Sequence, residues 1–341
     1  MLGTATSVAA PAAPFELLGD TIAPASMRRL KLRAGESFAG EALATPVLVA
    51  HGAQTGPTLC LTAAIHGDEL NGIEVVRRML RDINPAALSG TVIGVPVVNL
   101  LGFTRGTRET PDRRDLNRYF PGRPNGNFAD RIAYQLFSQI VEPHCTYLVD
   151  LHTGSFKRAN YPQLRADLTN PAVRRLAASF GATPILRKRG NARMLRRVAS
   201  ERGIPSVSLE FGESTTVQTQ HVNDAVAALR IALGQLGMLA KTETRPSRQA
   251  VYVRSFWIRA DQGGVFISRK TLGNVIVEGE IIGVIANPLT DEQVEIIAPA
   301  DGRILGLASD QFVLPGYGVF HVGREVGLEK ASKVPGPGTL E

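Results

Sequence analysis

Between Leu59 and Leu229 the chain alternates strand-like and helix-like segments, and this alternation limits its fold more than any other feature. The short apolar runs Leu59–Ile65, Thr91–Pro96, Tyr147–His152 and Ser206–Phe211 read as strands. Ile73–Arg81, Phe128–Val141, Pro171–Phe180, Ala192–Arg202 and Val222–Leu236 read as helices, with Pro171 suited to a first helical turn. Strands alternating with helices predict an α/β fold, a mostly parallel mixed sheet with helices on both faces. Sites in such sheets form beyond the carboxyl ends of the strands. Lys241–Gln249 is polar, carries Pro246 and reads as a linker, after which the period changes. From Val251 to Val322 short β-prone runs are separated by Gly, Pro, Asn and Asp, which predicts a small all-β domain. The resulting organisation is a loose N-terminal tail over 1–26, a main unit over 27–240, the linker over 241–249, a β domain over 250–325 and a disordered tail over 326–341. Within the main unit, Met27–Ala50 holds two or three further strands that extend the sheet.

At 341 residues the chain exceeds the size at which single cores stop growing, roughly 250–300 residues, which agrees with two domains. Its 44% hydrophobic and 20% charged residues are those of an ordinary globular protein, and no apolar run reaches the roughly 18 residues that span a bilayer. No membrane partner is expected. The Ala/Pro-rich start, Met1 to Pro14, lacks a basic region and a continuous apolar stretch, so it does not read as a secretory signal. The net charge is +7, but the arginines are spread along the chain without a basic helix or interleaved aromatics, which argues against nucleic acid. Cys60 lies inside one predicted strand and Cys145 just before another; two cysteines are too few for a disulfide framework and read as small buried hydrophobes. A cytoplasmic location is expected on that basis. A chain of this size with an added β domain also has the surface to form a homo-oligomer.

Chemistry is concentrated at three strand ends. His66-Gly67-Asp68-Glu69 follows the first apolar run and sets an imidazole and a carboxylate three residues apart. Tyr147–Leu151 delivers His152, and two His with one Glu is the ligand set of a catalytic zinc with an open coordination position. In Ser206–Gly212 alternation puts Val207, Leu209 and Phe211 on one face and leaves Glu210 on the other, where a lone carboxylate suits a general base. Asp150, two residues before His152, can orient an imidazole from behind. His51, His144, His221 and His321 lack such settings and read as structural or solvated. The loop Arg105–Gly122 is rich in guanidiniums; Arg108 and Arg118, with Asn117, are its best candidates for gripping a carboxylate or an oxyanion. Arg196 is a further candidate of the same kind.

His66-Gly67-Asp68-Glu69-Leu70-Asn71-Gly72, Asp115-Leu116-Asn117-Arg118, Asp150-Leu151-His152-Thr153-Gly154 and Leu209-Glu210-Phe211-Gly212, in this order, resemble the succinylglutamate desuccinylase/aspartoacylase family of zinc-carboxypeptidase-like hydrolases. The likeness spans roughly residues 46 to 240. It implies one Zn2+ per chain on His66, Glu69 and His152, an acid/base carboxylate at Glu210, and substrate or transition-state contacts at Arg108, Asn117 and Arg118. The chain departs from the family pattern at Glu109, where an aromatic is common, and at Arg113, where a small residue is. Gly264–Val322 resembles the small barrel, similar to biotinyl/lipoyl carriers, that bacterial members append. A carrier would present its lysine on the hairpin before Ala298; here that hairpin, Asn287–Glu292, holds none, so a structural or site-capping role is expected.

These readings converge on zinc-dependent hydrolysis of the amide in a small N-acylated amine, such as an N-acyl amino acid carrying a carboxylate. A metallocarboxypeptidase or esterase built on the same centre remains open, as does a non-catalytic binding module in which the metal is a clamp.

Overall fold

The computed structural model describes residues 10–36, 40, 42–155, 157–241 and 248–326. The main unit begins with β1 (Phe15–Leu17), β2 (Asp20–Ile22), β3 (Ser26–Glu36), β4 (Ala42–His51), β5 (Gln54–Ala63), α1 (Asn71–Asp82), β6 (Ser89–Val95), α2 (Leu100–Arg105) and α3 (Phe128–Leu136). It continues with α4 (Glu142–His144), β7 (Tyr147–Gly154), β8 (Arg158–Ala166), α5 (Pro171–Ala178), β9 (Ile185–Arg187), α6 (Leu195–Glu201), β10 (Ser206–Glu213) and α7 (Thr219–Gln235). The remaining strands are β11 (Val251–Arg259), β12 (Gly264–Ser268), β13 (Val275–Ile276), β14 (Ile281–Ala286), β15 (Gln293–Ile297), β16 (Gly302–Ala308), β17 (Phe312–Val313) and β18 (Gly318–Val326).

Twelve strands form one sheet in the order β13-β16-β18-β11-β9-β8-β10-β7-β5-β6-β4-β3. Its centre, β10-β7-β5-β6, is parallel, as the alternation predicts. Two apolar cores cover the two faces. One packs α1, α5 and α7 on Leu59, Leu61, Val149, Val207 and Leu209; the other packs α3 and α6 on Cys60, Ile93 and Leu148. In α1 the buried side faces the sheet through Gly72, Val75, Val76, Met79 and Leu80, a 3–4 spacing that makes one helical stripe. Gly72 is needed for close approach: a Cβ there would lie 2.9 Å from the Leu151 Cβ and 3.0 Å from the Ala63 Cβ.

Outside that centre the sheet is not mostly parallel. β8 returns antiparallel to β10, and β4 and β3 finish the far side antiparallel. The cause is chain length. A parallel crossover needs about a dozen residues, and β8 starts at Arg158, too soon after β7 ends at Gly154. Neither β8 nor β9 is recognisable in the sequence as a strand, since polar and apolar residues are mixed along both.

Two further expectations are corrected. Residues 10–25 belong to the fold, in place of a loose tail over 1–26: β1 and β2 make a hairpin turned by Leu18 and Gly19, both with positive φ, and Leu17 and Ile22 are buried. A stretch rich in Ala and Pro hides the few apolar anchors that pin it. The β domain is not a closed barrel. β12, β14, β15 and β17 form a separate four-stranded sheet, whereas β11, β13, β16 and β18 extend the main sheet, and β16 also pairs with β8. A core of Phe266, Ile276, Ile282, Ile285, Ile304 and Phe320 fills the space among these strands. Most of the 241–249 linker and the 326–341 tail, along with the first nine residues, lie outside the described residues. No helix among those described is long and apolar enough to cross a membrane.

The cysteines are bonded to each other. Cys60 on β5 faces the start of β7, and a disulfide joins it to Cys145 with Cα atoms 5.7 Å apart. This removes the ground for a cytoplasmic location, since that reading took both thiols to be free and stable disulfides suit oxidising compartments. Sequence spacing hid the pair because 85 residues separate them. Protein unfolded without reductant should show no free thiol in a colorimetric titration. The Cys60→Ala/Cys145→Ala double variant should be less stable by about 2–4 kcal/mol in urea unfolding.

Candidate metal centre and substrate cleft

The three parallel strands at the sheet centre end side by side, and this brings the predicted site together. Glu210 on β10 lies in register with His152 on β7, and Ala63, the last residue of β5, is paired with Leu151. The chain then turns through Ala64, which has positive φ, to present His66 and Glu69 before α1 begins. Gly67 lets this turn pass against the backbone at Gly102 and Phe103, where a Cβ would come within 2.1 Å. Beyond Glu210 the ladder shifts register at Gly212, whose φ of +67° favours glycine. Such an irregularity next to a site re-aims the side chains around it.

His66, Glu69 and His152 are all buried and offer one ligand atom each within 4.8 Å of one another. The Glu69 carboxylate bridges the two rings, with His66 Nδ1 2.8 Å from Oε1 and His152 Nδ1 2.8 Å from Oε2. Each outer nitrogen meets a further carboxylate: His66 Nε2 is 3.1 Å from Asp115 Oδ1, and His152 Nε2 is 2.6 Å from Asp150 Oδ2. Thr62 on β5 donates to the other Asp150 oxygen at 2.7 Å. Thus the Nδ1 atoms face inward and the Nε2 atoms are held from behind, the arrangement that fixes ring orientation and raises the basicity of imidazole ligands.

The electrostatics follow from that packing. Burial works to raise the Glu69 pKa, but His66 and His152 together hold its carboxyl well below the usual range. Burial likewise opposes a charge on His152, yet Asp150 and Glu69 raise its pKa well above the ordinary value. The burial that raises the Asp115 pKa is outweighed by His66 and Arg108, and its carboxyl is held well below the usual range. A cluster so rich in carboxylate needs positive charge close by, and Arg108 supplies part of it through Glu69 and Asp115. Among the described residues no fourth His, Cys, Asp or Glu donor joins the three.

The cleft in front of them has room for about 200 Å³ and is lined by Arg108, Asn117, Arg118, Arg165, Arg196 and Trp257, among others. Arg108 reaches Glu69 Oε1 at 3.2 Å, Ser155 Oγ at 2.6 Å and Asp115 Oδ2 at 3.1 Å. Asn117 approaches His152 Nε2 at 3.4 Å with its amide nitrogen, while its Oδ1 accepts from the Leu195 N–H at 2.9 Å. Arg118 stays 42% exposed at the rim, where Nη1 donates to the Asn117 carbonyl at 3.1 Å and Nη2 pairs with Asp115 Oδ2 at 4.0 Å. Arg196 is buried, and its Nη1 donates to the Lys188 and Arg189 carbonyls, so part of its fork is tied to the loop wall. Its pKa is lowered to about 10, by burial and then by Arg165.

Several lining residues have no recognisable motif in the sequence. Arg165 and Asn160 come from β8 and both touch Glu210, through an ion pair at 3.3 Å and a hydrogen bond at 2.9 Å. Trp257 comes from β11, far beyond the motifs. Its ring stacks on His321 at 4.8 Å and carries the Arg158 guanidinium 4.9 Å from its centroid, and the same guanidinium lies 4.5 Å from the Tyr317 ring. Burial, then Arg165 and Lys188, lower the His321 pKa to about 3, so this ring is neutral. The one sequence signal for this wall is that the chain has a single Trp. His51 is structural, held between Thr91 Oγ1 and the Ala13 carbonyl.

The sequence model of the succinylglutamate desuccinylase/aspartoacylase catalytic domain matches residues 55–234. A curated relative, the N-alpha-acetyl-L-2,4-diaminobutyric acid deacetylase of Halomonas elongata, is 27% identical over 266 residues, covering 74% of this chain and 77% of the relative. Among solved structures, a succinylglutamate desuccinylase from Silicibacter sp. TM1040 is similar with a TM-score of 0.78 at 23% identity, covering 93% of this chain and 99% of that one. The product-bound ectoine utilization protein EutE (DoeB) from Ruegeria pomeroyi is similar with a TM-score of 0.77 at 24% identity, covering 92% and 98%. At these identities the structural likeness speaks for the fold. The sequence match spans more than half of the chain, and on it the chain belongs to the succinylglutamate desuccinylase/aspartoacylase family.

Proposed function

We propose that the protein is a zinc-dependent deacylase that hydrolyses the amide of an N-acyl amino acid or a similar small N-acylated amine. The observation that carries this reading is the convergence of His66, Glu69 and His152 in one cleft with Glu210, whose strand is in register with that of His152. Two imidazole nitrogens and one carboxylate oxygen are donors of the kind zinc takes, with room for a further ligand. Bound there, zinc supplies Lewis-acid chemistry, polarising the scissile carbonyl and acidifying water.

The chain's own residues supply the rest. Glu210 takes a proton from the attacking water and returns it to the leaving nitrogen, so that the amine departs neutral. Arg108, tied to Ser155 and Asp115, places a fixed guanidinium where the tetrahedral oxyanion develops. Arg118 and Asn117, with Arg196 at the wall, hold a carboxylate of the substrate and so orient its amide. The β segment supplies Trp257 and narrows the cleft. A space of about 200 Å³ favours a small acylated amine over the tail of a protein, which sets this reading ahead of a carboxypeptidase. A clamp-type structural zinc would need a fourth protein ligand, and the described residues offer none.

Glu210→Gln should abolish turnover of N-acyl amino acids while the metal content, measured by atomic emission, stays that of the parent. Normal turnover in that variant would remove Glu210 from the reaction.

Metal loading should depend on pH in a defined direction. His152 in the metal-free protein holds a proton at neutral pH, because Asp150 and Glu69 raise its pKa. Coordination through Nδ1 must expel that proton, so apparent affinity rises with pH, about tenfold per unit, until the raised pKa is passed. Calorimetric titration with zinc in buffers of different ionisation enthalpy should show a proton released at pH 7; equal heats in all buffers would contradict it.

Charge in the cleft also selects substrates. Arg108, Arg118, Arg158, Arg165 and Arg196 line it against Glu69 and Glu210. An amine-bearing side chain, such as the diaminobutyric acid for which the Halomonas relative is named, would meet like charge. N-acyl derivatives of acidic or neutral amino acids should therefore exceed those of basic ones by about tenfold or more in kcat/KM, a difference of about 1.4 kcal/mol. A preference for basic amino acids in a substrate panel would reject this.

A further inference from the structure

β8 is the strand at which the main sheet meets the C-terminal segment, and one of its side chains reaches the acid/base carboxylate. Asn160 lies opposite Gly212 of β10 on one side and opposite Gly306 of β16 on the other. β16 packs against it at contact distance: a Cβ on Gly306 would lie 3.0 Å from the His321 Cβ and 3.5 Å, ordinary contact, from the Asn160 Oδ1. The Asn160 side chain is buried there, and its Nδ2 donates to Glu210 Oε2 at 2.9 Å. The other oxygen, Oε1, faces Arg165 at 3.3 Å, whose side chain is 32% exposed. The two oxygens of Glu210 thus have unlike surroundings, one fixed by a buried neutral donor and one on the more open side.

We propose that Asn160 is a positioning residue for Glu210, and that β16 of the C-terminal segment holds Asn160 in place. The proposal rests on the acid/base role given to Glu210 above. A carboxylate that takes a proton and gives it back must keep one oxygen turned to the reacting atoms, and a free side-chain torsion would not keep it there. A neutral amide can fix the other oxygen without setting another full positive charge against the base. This gives the C-terminal segment a task beyond narrowing the cleft, because the strand that borders Asn160 belongs to it.

The test compares the zinc-loaded parent enzyme with Asn160→Asp and Asn160→Ala. Aspartate has the same shape but donates nothing when ionised and sets a second carboxylate against Glu210; alanine removes the donor and adds no charge. Both should lose about 10- to 100-fold in kcat, the size of one hydrogen bond to a charged group, with Asp the worse. KM should stay within about twofold, and metal content should not change. Parent-like kcat in either variant, or a joint fall of kcat, metal content and melting temperature in both, would overturn the proposal in favour of a packing role. Gly306→Ala tests the second half, since its methyl would crowd the His321 Cβ at 3.0 Å and so disturb β16 at the point where it pairs with Asn160. It should lower kcat in the parent and add little in the Asn160→Ala background; an additive loss would detach β16 from Asn160. A zinc-loaded parent without any deacylase activity would instead sink the reading on which this rests, a result distinct from an active parent with indifferent Asn160 variants.

Discussion

The parallel register of β5, β7 and β10 is the constraint on which the site depends. Parallel neighbours end at the same side of a sheet, so residues 66, 152 and 210 meet although long stretches of chain separate them. A slip of one residue in β7 would turn His152 and Asp150 to the opposite face and put Leu151 into the cleft. The register is specified because the two faces differ at this end: Leu61, Val149 and Leu209 fill an apolar core, whereas Thr62 donates to Asp150 and His152 lies beside Glu210 on the other face, and a slip would drive those polar groups into the core. Gly72 then lets α1 settle on this ladder closely enough for the preceding turn to carry His66 and Glu69 inward.

That register creates an electrostatic problem which the surrounding residues resolve. The buried Glu69 and Asp150 and the half-buried Asp115 crowd two imidazoles, and carboxylates so placed need positive charge close by. Arg108 answers part of the need by touching both Glu69 and Asp115. His66, Glu69 and His152 are the residues that would hold a divalent cation here. On the other side of the cleft the imbalance is reversed: Arg165, Lys188 and Arg196 crowd together, and Arg165 and Arg196 help to lower the Lys188 pKa after burial itself. Glu210 lies at the boundary between these two regions, paired to Arg165 yet on the strand next to His152.

The C-terminal strands are continuous with this arrangement. β11 pairs with β9 and β16 with β8, so the sheet that holds the metal-ligand candidates extends without a break into the β segment. Trp257, stacked on His321 and with the Arg158 guanidinium over its ring, forms a wall of the cleft that the main unit cannot build alone.

Much of this was legible in the amino-acid order, and the reason is locality. Alternation of apolar and polar residues along Ser206–Phe211 is enough to set Glu210 apart from Val207 and Leu209, and strand–helix alternation is enough to place His66, His152 and Glu210 at strand ends. What needed the folded chain is whatever depends on two remote segments at once. The Cys60–Cys145 bond, the packing of Leu17 and Ile22, the antiparallel return of β8 and the meeting of Asn160, Arg165 and Trp257 around one cleft belong to that class. Sequence periodicity reports which face a side chain takes relative to its own strand. Only the pairing of strands decides which other side chains share that face, because the partner across the ladder is chosen by the packing of the whole sheet.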